Sequence, residues 1–364
     1  MLSERSKPVL VASITALAIV LSLLLAEGAV RLRQTIKYGS AATLEDFYRI
    51  DQGTGLRIPV ANLSDGRISV NSLGFRGPEI EVPRPQGTVR IAFLGASTTW
   101  CAEVSGNELV WPHLVAESLK RSMPGATFDY VNGGVPGYVV ESITKGLRHR
   151  VAPLQPDVIV VYEVSNNLSG ELRERAAAQS LISNSRMQEL TWPGRYSLLW
   201  NLVEKNLRIL AAQRAAADDR NRLDVDPTTM GERFRKDLTQ LLRDAQSHAP
   251  LVAVATFAIQ PRRDQSPAQQ MRASASALFY TPFVTPRLLI EAYERYNQIV
   301  REVAKETGVL LIEGENGIPG DAVHFADTVH FTDAGSIAMA SRISAALAGN
   351  QMLRNLAAER AGAR

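Results

Sequence analysis

Val89-Arg-Ile-Ala-Phe-Leu-Gly-Ala-Ser-Thr-Thr99 opens as a nearly unbroken apolar run and closes on small and hydroxyl residues. The run reads as a strand buried on both faces, and the residues after it, from about Asn107 to Met123, carry helical spacing. The same alternation continues. Phe128-Asp-Tyr-Val-Asn132 reads as a second strand with a helix from about Tyr138, and Asp157-Val-Ile-Val-Val-Tyr-Glu163 as a third strand. A helix near Gly231 to Ser247 leads into Leu251-Val-Ala-Val-Ala-Thr-Phe257. A longer one, Arg287 to Thr307, leads into Val309-Leu-Leu-Ile-Glu313, and a last helix covers about Asp333 to Leu347. Strands alternating with helices predict an α/β fold, a doubly wound parallel sheet with helices on both faces. In such a sheet the site lies beyond the carboxyl ends of the strands.

Those ends hold a consistent set of residues. The first strand stops at Gly95-Ala-Ser-Thr-Thr99, which puts Ser97 at the start of a helical turn. The second ends in Asn132-Gly-Gly-Val-Pro-Gly-Tyr138, whose glycines let backbone approach a ligand, and the third in Val164-Ser-Asn-Asn-Leu168, with two side-chain amides. After the fifth strand comes Asp327-Thr-Val-His330, then Phe331-Thr-Asp-Ala-Gly335. A serine hydroxyl is a weak nucleophile near neutral pH. It needs an imidazole to take its proton, a carboxylate to orient that imidazole, and donors for the oxyanion that develops. All of these residue types are present.

The order GxS, N-x-G-x-x-G, an asparagine block and a late DxxH resembles the SGNH (GDSL-like) hydrolase superfamily over residues 89 to 347. The apolar N-terminus and Asn71-Ser-Leu-Gly-Phe-Arg-Gly-Pro78 resemble its membrane-anchored bacterial branch. The resemblance implies a three-layer α/β/α architecture with a flavodoxin-like, five-stranded parallel sheet and ester hydrolysis without metal or cofactor. It also implies Ser97 as nucleophile, His330 and Asp327 as the relay, and an oxyanion hole of Ser97 N–H, Gly137 N–H and the Asn166 side chain. Ala96 replaces the family's usual aspartate, with little effect expected on the chemistry. Asn167 stands where the family commonly has aspartate, which leaves Asn167 as the alternative to Asn166. Asp321-Ala-Val-His324 is a second DxxH; Thr332 and Gly335, which follow His330, match the family's helix entry and favour the later pair. His324 then becomes a loop residue at the entrance. A metal cluster of Asp321, His324, Asp327 and His330 is discounted, since it would leave the strand-end serine and glycine turn without a purpose. His113, His149 and His248 fall in helical patterns or at a helix end and read as structural.

The composition narrows the function classes. With 364 residues, 45% apolar, the chain can bury a large core, and a net charge of +3 without a basic stripe does not suggest nucleic-acid binding. The single cysteine, Cys101, excludes an intrachain disulfide. Residues 1–7 form a short tail. Pro8 to Ala26 are nineteen uncharged residues, just enough to cross a hydrocarbon core of ~30 Å. Ala26-Glu27-Gly28 also suits a signal-peptide cleavage site, but the pattern runs on as helix, with Glu27 and Arg31 paired at i,i+4. Arg5 and Lys7 before the run and Arg31, Arg33 and Lys37 after it do not decide the orientation. The family resemblance places the domain outside the cytoplasm of a bacterial inner membrane.

A membrane-proximal segment (27–88) then precedes the hydrolase domain (89–347), and a C-terminal tail (348–364) follows. Within residues 27–88, Asn71 to Pro78 reads as a tight turn before the first core strand. The domain carries two insertions. Residues 169–230 include an amphipathic helix, Tyr196 to Leu207, which covers the site, rests on the membrane or packs on the core. Residues 262–286 lack periodicity, and Phe279, Tyr280 and Phe283 are candidates for substrate contact. Three readings follow: an esterase removing acyl groups, acetyl foremost, from envelope or exported glycans; an O-acyltransferase using the same residues; and a non-catalytic envelope protein. The partners expected are an acylated small molecule or glycan and, through the N-terminal helix, the membrane.

Overall fold

The computed structural model describes residues 6–38, 47–64, 66–182, 191–216 and 222–362. Residues 1–5 of the expected tail (1–7), positions 39–46 of the membrane-proximal segment, and parts of the first insertion (183–190, 217–221) lie outside the described residues.

Helix α1 (Ser6–Tyr38) runs without a break through the apolar stretch, and Arg31 Nε bonds Glu27 Oε1 at 2.8 Å. A two-stranded ribbon, β1 (Tyr48–Ile50) and β2 (Arg57–Pro59), follows. The main sheet holds β3 (Thr88–Gly95), β4 (Thr127–Asn132), β5 (Val158–Tyr162), β6 (Leu251–Ala255) and β7 (Leu310–Ile312). Its order is β4-β3-β5-β6-β7, every pair parallel. Every residue of β3, β5 and β6 is buried, as helices on both faces require. The chain turns to one side of β3 to make β4 and to the other to make β5, so the β3 end is the switch point where sites form.

The helices divide between the two faces. On one, α3 (Trp111–Ser122) packs against α12 (Asp333–Gly349), with α13 (Gln351–Gly362) alongside. On the other lie α4 (Val140–Gly146), α5 (Ser165–Ala178), α8 (Glu232–Gln246) and α11 (Pro286–Thr307). In α8, Phe234, Leu238, Leu241, Leu242 and Ala245 are buried on one stripe, and each large side chain contributes roughly 1.5–3 kcal/mol. Helix α11 starts where Thr285 accepts a bond from Leu288 N, with Pro286 in the first turn, and ends at Gly308, whose φ is +73°.

Two expectations need correction. The segment expected as a C-terminal tail is largely helix α13, with Leu353 and Ala357 buried. Its Arg360 Nη2 bonds Asp157 Oδ1 at 2.8 Å, beneath the sheet, where Arg84 and the Arg90 N–H hold the other carboxylate oxygen. Residues 262–286 are not irregular either: they form α9 (Pro267–Ala273) and α10 (Ala275–Tyr280). Ser266 and Gln269 close a capping box with Pro267 in the first turn, a start signal too short to register as periodicity. In the first insertion α6 (Trp192–Tyr196) precedes α7 (Leu198–Ala216), which packs against α10 and α1.

Candidate active site

Ser97 begins α2 (Ser97–Trp100), a single helical turn directly beyond β3. Cys101 N–H closes the turn on Ser97 O, and distant side chains supply partners for the carbonyls that follow. Trp111 Nε1 donates to Thr98 O at 2.9 Å and Asn132 Nδ2 to Thr99 O at 2.9 Å. Arg76 Nη1 donates to Trp100 O at 2.8 Å and to Cys101 O at 2.5 Å. Four consecutive carbonyls are thus gripped from three elements, which fixes the turn carrying Ser97. The tight turn expected at Asn71 to Pro78 is there, with Gly74 at φ +77°, and its further contribution is the buried Arg76 beneath the serine. Gly134 presses on the other side, where a Cβ would come within 2.5 Å of Trp100 N.

The structure brings Ser97, His330 and Asp327 together. His330 Nε2 lies 2.8 Å from Ser97 Oγ, and His330 Nδ1 lies 2.8 Å from Asp327 Oδ2. Asp327 Oδ1 accepts the N–H groups of Val329 and His330, both at 2.9 Å, so one carboxylate folds its loop and orients its ring. Thr328 ties that loop to the second insertion: its Oγ1 donates to Ala273 O and pairs with Ser276 Oγ, each at 2.8 Å. The earlier DxxH makes the same local turn, with His324 Nδ1 2.8 Å from Asp321 Oδ1. The His324 backbone meets α12 instead: its carbonyl accepts Thr332 N–H at 3.1 Å, and a Cβ on Gly335 would overlap it.

Gly137 has φ +83°, a left-handed conformation that favours glycine, in the turn after β4. Asn166 Nδ2 donates one hydrogen to Tyr138 O at 2.8 Å, beside Gly137, which leaves the other for a ligand. Asn167 points elsewhere; its Oδ1 accepts Val140 N–H at 3.0 Å at the start of α4. Asn166 also borders a cleft of about 470 Å³ whose walls include Asn167, Glu141, Glu171, Glu174 and Arg233. Of the aromatic candidates, Tyr280 is exposed, whereas Phe283 is buried in the core and is withdrawn as a substrate contact. Phe279 stacks edge-on against Tyr280.

Two acids near the imidazole carry no local motif. Glu103 Oε1 is 4.0 Å from His330 Nδ1, and burial pushes its carboxyl up. Glu163, which closes the third strand run, is driven by burial up to about 8, although Oε1 accepts Asn166 N–H at 2.7 Å. Burial works against a charged His330, but the Asp327 bond and the charges of Glu103, Asp327 and Glu163 outweigh it and raise the ring to about 9. Asp327 is held low despite burial by its bonds to His330 and to the backbone N–H groups. An imidazole accepts a proton only when neutral, so ester cleavage (kcat/KM) is expected to rise with pH, reach half its plateau near pH 9 and level off above it. Glu103→Gln removes a charge that stabilises the imidazolium, so the limb should move to lower pH. A limb that stays put or moves to higher pH would remove Glu103 from this account.

A parallel α/β/α sheet carrying a serine–histidine–aspartate chain at its switch point defines the class, an ester hydrolase. The chain belongs to the GDSL-like lipase/acylhydrolase family, whose model matches residues 93–336, and so to the SGNH hydrolases. Solved structures similar to it include an acetylxylan esterase from Geobacillus stearothermophilus, 14% identical, with a TM-score of 0.44 over 74% of this chain and 99% of that one. A lipase/acylhydrolase from Enterococcus faecalis is 16% identical, with a TM-score of 0.43 over 72% of this chain and 96% of that one. No curated protein matches the chain significantly.

Proposed function

We propose that the chain is a membrane-anchored serine esterase that removes acyl groups, acetyl foremost, from envelope or exported glycans. The observation that carries the chemistry is the hydrogen-bonded chain Ser97–His330–Asp327, with both links at 2.8 Å. Ser97 Oγ attacks the ester carbonyl carbon while His330 Nε2 takes its proton, and Asp327 stabilises the imidazolium. The oxyanion is held by the N–H groups of Ser97 and Gly137 and the free amide hydrogen of Asn166. Collapse expels the alcohol, protonated by His330. Water then attacks the acyl carbon as His330 takes its proton; collapse breaks the bond to Ser97 Oγ, which His330 reprotonates, and releases the acid. The glycan part of this reading rests on the resemblance to the membrane-anchored bacterial branch of the family.

The anchor reading rests on the Leu10–Arg33 stretch of α1, long and apolar enough to span a membrane, with none of its most apolar window buried. Its retention is supported by Glu27, which accepts bonds from Ser197 Oγ at 2.8 Å, Leu198 N at 3.0 Å and Leu199 N at 2.9 Å. A helix bonded in this way to the folded domain is unlike a leader to be removed. We place the catalytic domain on the extracytoplasmic side of a bacterial inner membrane.

A fluorophosphonate is expected to label the full chain and not Ser97→Ala, and acetylated sugars to be cleaved in preference to long-chain esters. Failure of the folded chain to label would leave a non-catalytic envelope protein. Ester consumption only when a glycan acceptor is supplied would make it an O-acyltransferase. The chain should also stay in the membrane fraction after an alkaline carbonate wash. A mature N-terminus near Ala29 would end the anchor reading, and protease protection of residues 40–364 in spheroplasts would reverse the orientation.

A further inference from the structure

We infer that α6 and α7 form a second membrane contact, lying in the interface of the same bilayer that α1 crosses. The inference rests on the reading of α1 as a membrane span. The start of α7 is fixed at one depth. Glu27, immediately after the uncharged run, receives the first N–H groups of α7, and Arg31 Nη2 reaches Tyr196 O at 3.1 Å. Those contacts fall where the span leaves the hydrocarbon, the level at which tryptophan and tyrosine are favoured. The residues held there are Trp192 and Tyr196, 75% and 71% exposed.

From that point α7 carries an apolar stripe. Trp200, Val203, Leu207 and Leu210 follow one another at intervals of three and four, so they share one helical face, and all four are exposed. An exposed apolar face of this extent, continuous with an anchor, marks an interaction surface. A lipid interface fits it better than a second protein, because the stripe begins beside the span and carries aromatics at headgroup depth. The contact also bears on the active site, since α7 packs against α10, whose Ser276 holds Thr328 next to Asp327.

The test uses the full chain in vesicles of phosphatidylethanolamine and phosphatidylglycerol with nitroxide-labelled lipids, read by tryptophan fluorescence. Trp100 and Trp111 are buried, which leaves Trp192 and Trp200 as reporters. A nitroxide near the headgroups is expected to remove roughly half the emission, as two of four tryptophans face lipid, and one deep in the acyl chains much less. Trp192→Phe with Trp200→Phe should abolish the effect. Val203→Glu with Leu207→Glu should weaken it strongly while vesicle co-sedimentation and fluorophosphonate labelling persist. Unquenched emission from a chain that still co-sediments would overturn the inference and leave the anchor standing. Cross-linking of Leu207→Cys between copies, with quenching absent, would replace the bilayer by a second copy of the chain. Loss of co-sedimentation would fail the anchor itself, and the inference with it.

Discussion

Replacing His330 with alanine is expected to abolish ester cleavage nearly as completely as replacing Ser97, with losses on the order of a millionfold in kcat. The double variant should be scarcely worse than either single one. The proton held between Ser97 Oγ and His330 Nε2 is moved by the pair, so removing either partner removes the same step. Asp327→Asn should leave a residual rate, roughly ten-thousandfold down, because the ring is misoriented but still present. His324→Ala should keep most activity, since its imidazole bonds Asp321 and its carbonyl supports α12. Fluorophosphonate labelling should follow the same ranking. If His324→Ala silences labelling and His330→Ala spares it, the relay is Asp321–His324 and the assignment is out of register.

Asn166→Ala is expected to lower kcat by about a hundredfold or more, since one lost oxyanion donor costs ~3–4 kcal/mol of transition-state stabilisation. The Michaelis constant should change little, because the interaction matures only as charge develops on the oxygen. Asn167→Ala should behave differently. Its bond to Val140 N–H satisfies a donor at the start of α4, so its loss should cost about 1 kcal/mol of stability and leave turnover nearly intact. Thermal unfolding and kinetics on the two variants separate these effects. A larger loss of turnover in Asn167→Ala would move the donor one position along the chain.

The strand–helix alternation was legible because buried parallel strands are apolar throughout and their helices carry a regular stripe, both properties of local sequence. The structure shifts the ends of the expected strands and helices by a few residues in either direction, where fraying and caps rather than periodicity set the limits. Three readings failed where local pattern misleads. Residues 267–280 fold into two helices too short to show a period; the stretch after Leu347 becomes a helix by docking Arg360 on Asp157; and Phe283 turns into the core. The acids Glu103 and Glu163 were silent because neither has a motif, and each matters only through what the fold places beside it.

Sequence by itself determined the sheet class, the family, and the short menu of chemical groups at the strand ends, all of which depend on neighbours within a few residues. The aspartate–histidine turns of both DxxH segments are short-range as well, for their bonds span three residues. Only the tertiary structure decided which histidine meets Ser97. That contact joins positions 233 residues apart, and the sheet order and the loop tied down by Thr328 bring them to 2.8 Å. The same holds for Arg76, Trp111 and Asn132 closing on the serine turn and for Glu27 holding α7, because a distance between remote segments is a property of packing and has no local signature.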